Sequence, residues 1–195
     1  MPRRSPNVDT SQRILDIAER LLQTRGYNAF SYADIAHALH VTKASLHYHF
    51  PTKAELGRRL IERYTISFLH ALAAIDQTSA DAGEQLRRYV DIYLGVLRND
   101  RMCLCGILAA EYVTLPKPMK AGLKHFFDEN ERWLVAVLEK GHATSTLRFT
   151  GSAREVAQLL VGSLEGAMML ARSYDDVGRF KSAAERLLAG LGACK

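Results

Sequence analysis

Between Thr42 and Lys53 the chain concentrates hydrogen-bonding side chains in one short segment: Thr42, Lys43, Ser45, His47, Tyr48, His49 and Lys53, with Ala44 as the small residue among them. Hydroxyls, imidazoles and ammonium groups at this density suit phosphate oxygens and base edges, and an alanine permits close approach or contact with a thymine methyl. Taken singly, each of these side chains reads better as part of a solvated helix face. As a set, they point to nucleic acid. A second reactive candidate is the pair Cys103 and Cys105, with Cys194 near the tail. A Cys-x-Cys on a helix points its thiols about 200° apart, poor geometry for a mutual disulfide, and a zinc site lacks its second pair of ligands. Two buried small hydrophobes is the plainer reading. A thiol of lowered pKa near a helix start, open to oxidants or electrophiles, is the sharper one. No phosphate loop, nucleophile elbow, His-Glu-x-x-His or paired-carboxylate motif occurs, so no enzyme, cofactor or metal is expected.

The elements that must position these residues read as helices throughout. Ile14, Leu15, Ala18, Leu21 and Leu22 recur at helical spacing and stop at Gly26. Further helices are expected over 32–39, 43–49, 53–76, 82–98, 102–114, 117–141, 153–173 and 177–191, and no alternating strand pattern is present. Three starts carry explicit signals. Ser31 with Asp34 forms a capping-box pattern, and Phe30 with Ile35 a hydrophobic staple; Thr42 follows with the staple pair Val41 and Leu46; Thr52 with Glu55 is a third. Helix 32–39 therefore turns through His40, a residue that tolerates the left-handed region, directly into helix 43–49. A longer helix followed by two short ones joined this tightly is the pattern of a helix-turn-helix.

The run YADIAHALHVTKASLHYHFPTKAEL, with Leu46, Tyr48, His49, Phe50 and Lys53 at fixed spacing, resembles the N-terminal signature of the TetR/AcrR family of bacterial regulators. The resemblance implies an all-α, nine-helix architecture: an N-terminal three-helix DNA-binding domain over residues 1–56, and a helical ligand-binding and dimerisation domain over 57–195. It also implies that Thr42 and Lys43 open the recognition helix. His47, Tyr48 and His49 would contact DNA, Lys53 would hold a phosphate, and Ser31 or Tyr32 would touch phosphate from the start of the second helix. The chain has His47 where the family commonly has tyrosine and His40 where glycine is common. An imidazole at 47 would tie affinity to pH, because phosphate favours the cation.

For the remainder, the resemblance implies an inducer site and a homodimer. Helix 153–173 carries Val156, Leu159, Leu160, Leu164, Met168 and Ala171 as an apolar stripe beside the small residues Gly162, Ser163, Gly166 and Ala167. With Phe180, Ala184, Leu187, Leu188 and Leu191 of the last helix, these suit either a two-fold four-helix interface or ordinary intrachain core. Candidate walls of a small-molecule pocket are Phe68, Tyr89, Tyr93, Cys103, Ile107, Phe126, Phe127, Trp133 and Met168. Candidate anchors are Glu111, His125, Asn130 and Arg132.

Charge distribution fits the same division. Residues 1–64 hold ten Lys/Arg against six Asp/Glu, and the other 131 hold sixteen against fifteen, so the net +5 sits almost wholly at one end. No apolar run is long enough for a bilayer, and the polar start Met1–Gln12 lacks a signal-peptide core, so a cytoplasmic protein is expected. The leading expectation is a repressor that binds a palindromic DNA operator as a homodimer and is released by a small-molecule inducer. A thiol-based sensor using Cys103 or Cys105 is the alternative, and an all-α enzyme or architectural protein the reading from another class.

Overall fold

A computed structural model describes residues 6–192, and Cys194 lies outside the described residues. Among these residues there are nine α-helices and no strands: α1 Pro6–Arg25, α2 Tyr32–Leu39, α3 Lys43–His49, α4 Lys53–Thr78, α5 Ala82–Arg98, α6 Leu104–Ala110, α7 Lys117–Ala143, α8 Ala153–Ser173 and α9 Val177–Gly190. The all-α, nine-helix expectation is met. The expected helix ends are met within two residues except in one segment. The helix expected over 102–114 is only α6, followed by a 3₁₀ turn at Tyr112–Thr114. Its break falls where the Glu111 N–H divides between the carbonyls of Ile107 and Leu108, which converts the α ladder to a tighter one. Cys103 consequently precedes α6 and does not share it with Cys105.

The caps explain the other starts. Ser31 and Asp34 make the full reciprocal box, the Ser31 N–H donating to Asp34 Oδ2 at 2.7 Å. Thr42 Oγ1 accepts the Ser45 N–H at 3.3 Å. At Thr52 only half of the expected box forms: its hydroxyl accepts the Glu55 N–H at 3.1 Å, but the Glu55 carboxylate turns to Arg58, with Nη2 to Oε1 at 2.7 Å. A charged fork outcompetes a lone N–H for a carboxylate.

The chain divides into two compact units, residues 1–65 with 104–124 and residues 66–103 with 125–195, the first boundary falling inside α4. In the first unit, α1 packs on α2 and α6, and α2 on α3. Ile14, Leu22, Ile35, Leu46, Leu56, Leu60, Leu104, Leu108 and Met119 are its buried core. Arg63 ties α4 to α1 by 2.6 Å contacts to both Asp16 and Glu19. In the second unit α8 packs on α9 and α5, and α5 on α9. Its core holds Leu72, Leu86, Tyr89, Tyr93, Phe126, Leu138, Leu164, Met168 and Phe180.

Candidate nucleic-acid interface and buried polar cluster

The turn into α3 is set by His40, at φ 56° and ψ 42°, whose N–H bonds to the carbonyl of His37 while the Val41 N–H closes on Ala36. This left-handed residue reverses the chain within three positions, so α3 starts at once with its inner face fixed by Leu46, followed by buried Phe50. The opposite face is open. Thr42, Lys43, Ala44, His47 and Tyr48 are exposed, Ser45 and His49 half-buried. Tyr48 is 74% exposed although it is a large aromatic, and its ring meets that of His49 edge-on at 5.3 Å. A tyrosine left in water at the centre of a cationic helix face is costly packing and useful chemistry.

His47 is held in one orientation. Its ring packs on Tyr32 at 4.7 Å, and its Nδ1 lies 3.1 Å from the Pro51 carbonyl, which can only accept. Nδ1 therefore carries the proton and Nε2 faces outward as an acceptor in the neutral ring, becoming a donor only in the imidazolium. Tyr32 itself donates its hydroxyl to the Phe50 carbonyl at 2.7 Å, joining the start of α2 to the end of α3. Burial pushes the Tyr32 phenol up to about 12, so it stays a donor. Ser31, Tyr32, Lys43, His47 and Lys53 border an open cleft of about 350 Å³ beside the N-terminus of α2.

Lys53 points into the protein. Its ammonium donates to the carbonyls of Tyr27 (2.5 Å) and Phe30 and lies over both rings, 4.5 and 4.4 Å from their centroids. Burial lowers its pKa while the nearby Glu111 carboxylate opposes that shift. Glu111 accepts the N–H of Tyr27 at 2.7 Å and of Asn28 at 3.4 Å. It packs so closely on Gly26, at φ +90°, that a Cβ there would sit 2.7 Å from Glu111 Oε1. The loop before α2 is thus clamped from both sides by two opposite charges.

Of the other residues named from the sequence, Ile107 and Glu111 belong to this first unit, and Phe68, Tyr89, Tyr93, Cys103, Phe126, Asn130, Trp133 and Met168 to the second. His125 and Arg132 both lean on Glu129, more than half exposed. Tyr89, Tyr93 and Asn130 are buried and bonded to one another. The Tyr89 hydroxyl donates to Asn130 Oδ1 at 2.8 Å, Asn130 Nδ2 donates to Tyr93 at 3.2 Å, and the hydroxyls lie 3.0 Å apart. Because the Tyr89 proton is committed to Asn130, the last bond must run from Tyr93 to Tyr89, and the ring of three is closed. Phe68 packs edge-on against Tyr89, Tyr93 and Phe126, and Trp133 stacks on Tyr89 at 5.6 Å with its indole N–H on Asp76. Burial drives both tyrosine phenols far above their ordinary value.

The residue that sequence reasoning missed is Glu165. It is 8% exposed, and neither carboxylate oxygen has a partner that meets hydrogen-bond geometry. Burial raises its pKa to about 7, opposed only by the Cys103 thiol beside it. A signal existed: Glu165 lies between Val161, Leu164 and Met168 on the apolar side of α8.

Together these features define a helix-turn-helix DNA reader joined to a helical unit with a buried polar cluster. A family model described as "Bacterial regulatory proteins, tetR family" matches residues 14–60, and one described as "Tetracyclin repressor-like, C-terminal domain" matches residues 82–187. A solved TetR-family transcriptional regulator from Agrobacterium tumefaciens is 33% identical, covering 95% of this chain and 98% of that one with a TM-score of 0.92. A TetR regulator from Legionella pneumophila is 32% identical over 97% of this chain and 100% of that one, at TM-score 0.86. The transcriptional repressor NemR of Escherichia coli is 25% identical over 174 residues, 84% of each chain. The chain belongs to the TetR family and is a DNA-binding transcriptional regulator. Among the described residues no helix is long and apolar enough to cross a membrane, and no group of three His, Cys, Asp or Glu is placed to hold a metal.

Proposed function

We propose that this protein is a repressor that holds a palindromic operator as a homodimer and lets go when a small molecule enters its second unit. The single observation that carries the DNA half is the exposed Lys43–His49 face with Tyr48 at its centre. Ala44 and Ser45 approach base edges, and Thr42, Lys43 and His49 meet phosphates on either side. Ser31 and Tyr32 add the helix N-terminus, and Lys53 supports the interface through the loop it anchors. Two such helices would occupy major grooves about 34–36 Å apart. Footprinting on the DNA upstream of its own gene tests this reading. Lys43→Ala should lower affinity evenly across sequences and reduce the slope of log K against log salt by about 1. An unchanged slope would remove Lys43 from the interface.

The dimer half rests on α8. Its expected stripe divides: Val156, Leu160, Leu164, Met168 and Ala171 are buried within the chain, whereas Leu159 is 62% exposed, and so, at 59%, is Leu170, which lay outside that stripe. Between these two, a Cβ at Gly162 or Gly166 would meet nothing within 4 Å. An apolar ridge with a bare backbone strip suits close packing of the same helix from a second copy. Leu159→Glu with Leu170→Glu should convert a dimer to monomers in sedimentation and abolish cooperative operator binding. A wild-type monomer at micromolar concentration would refute it.

A ligand in the second unit would act through α4, which contributes residues to both units. It must bind the released conformation more tightly than the DNA-bound one. The thiol reading is the weaker one. Cys103 and Cys105 are 1% and 0% exposed, which closes both to oxidants and electrophiles. Loss of oxidant-driven operator release in a Cys103→Ser, Cys105→Ser double variant would restore it. No enzymatic step is part of this function.

A further inference from the structure

Glu165 is a buried carboxylate to which the described residues bring no cation and, apart from a weak thiol, no proton donor. Both oxygens are sealed from water and lack a hydrogen-bond partner. The hydroxyls of Tyr89 and Tyr93 feel its charge, but their protons are used up inside the closed ring with Asn130. The Cys103 thiol is a weak donor and relieves it only in part. Two aromatic rings, whose faces attract positive charge, lie within reach of this acid's field, those of Tyr89 and Tyr93; Phe68 packs on both and half-buried Trp133 stacks on Tyr89. An orphan carboxylate among electron-rich rings is the complement of one chemical class.

We propose that the Glu165, Tyr89 and Tyr93 cluster is the effector site of this regulator, and that the effector is a small organic ammonium ion carried on an apolar body. The inference rests on the inducer-released reading above. The ammonium donates to the Glu165 oxygens, its cationic head lies against the tyrosine rings, and its apolar body packs on the neighbouring Phe68 and Trp133. Folding has already stripped water from Glu165, so the incoming cation bears only its own desolvation, and pairing relieves a cost the free protein carries. A neutral ligand of the same shape gains none of this. An anionic one would meet repulsion.

The test is direct binding without DNA. Purified full-length protein is titrated by calorimetry with n-alkyl amines of four to ten carbons and 2-phenylethylamine, each beside the alcohol of the same skeleton, at pH 8. At least one amine should bind about tenfold or more tightly than its alcohol. The preference should vanish in both Glu165→Gln and Glu165→Leu, the second guarding against a folding defect in the first. Equal binding of amines and alcohols, binding of neither, or a preference that survives both substitutions overturns the proposal. Operator release is read separately. An amine that binds through Glu165 yet leaves the operator complex intact keeps the site and refutes the inducer reading; an alcohol that releases DNA does the reverse.

Discussion

Glu165→Leu should make the protein more stable at pH 8, by about 3 kcal/mol, and the gain should fade as the pH is lowered towards 5. The carboxyl has an ordinary value of 4.5 and a folded-state value of about 7. The acid form is therefore favoured in the folded chain. Stability linked to this group is complete below 4.5, falls as the pH rises through the interval, and is fully lost above about 7. A displacement of that size corresponds to about 3 kcal/mol. Leucine removes the titration, keeps the volume and favours the helix, so the variant retains at pH 8 what the wild type loses. For a chain of this size the midpoint of thermal unfolding should rise on the order of 6–12 °C at pH 8 and little at pH 5. A lower midpoint at pH 8 would mean that the carboxylate is satisfied in solution. Replacing a buried charge that has only a weak thiol donor beside it is one of the few single changes that stabilises so strongly. Its persistence in the chain is then a cost borne at the same residue that the ammonium site requires.

Lys53→Met should destabilise the first unit by about 2 kcal/mol and weaken operator binding without changing its salt slope. Methionine keeps the apolar stem and loses two charge-assisted bonds, leaving the Tyr27 and Phe30 carbonyls without their donor. Phe30 immediately precedes the Ser31 cap, so a loosened loop misplaces the start of α2 and, through the Tyr32–Phe50 bond, the end of α3. The pairing of an affinity loss with an unchanged salt slope separates this from a phosphate contact, whose removal would lower the slope by about 1. Denaturant melts and binding at several salt concentrations give both readouts from one variant. Glu111→Gln, which keeps the shape of the opposite jaw, should cost less, since the amide oxygen still accepts from Tyr27.

These two residues mark the boundary of what could be read in the chain. The helix-turn-helix was legible because its instructions are local. Ser31 and Asp34 are three apart, His40 takes the left-handed turn by itself, and Leu46 with Phe50 fixes the buried side of a seven-residue helix; each acts within one or two turns. The exposed face follows by subtraction. Helix count and type were legible for the same reason, and the largest boundary shift, at α6, falls at Glu111, whose carboxylate has its partners far away in sequence. Glu111 carries no local sign that it will cap the loop at Tyr27, eighty-four residues earlier. Nor does Lys53 show that its ammonium turns inward, because a lysine two residues after a proline suits a phosphate equally well.

The second unit depended still more on packing. Tyr89, Tyr93 and Asn130 were named from the sequence only as wall and anchor candidates among many. What joins them is the distance between helices, which alone decides that each hydroxyl proton is spent and that Glu165 is left without one. The α8 stripe is the same case: periodicity marked Leu159 and Leu160 alike, and only the placement of α5 and α9 buried one and left the other in water. Sequence determined where the helices start and which residues could read DNA, because capping and amphipathicity act over a few residues. Tertiary structure decided which charges are clamped, which are orphaned and which apolar faces remain open, because those properties belong to neighbours that only folding brings together.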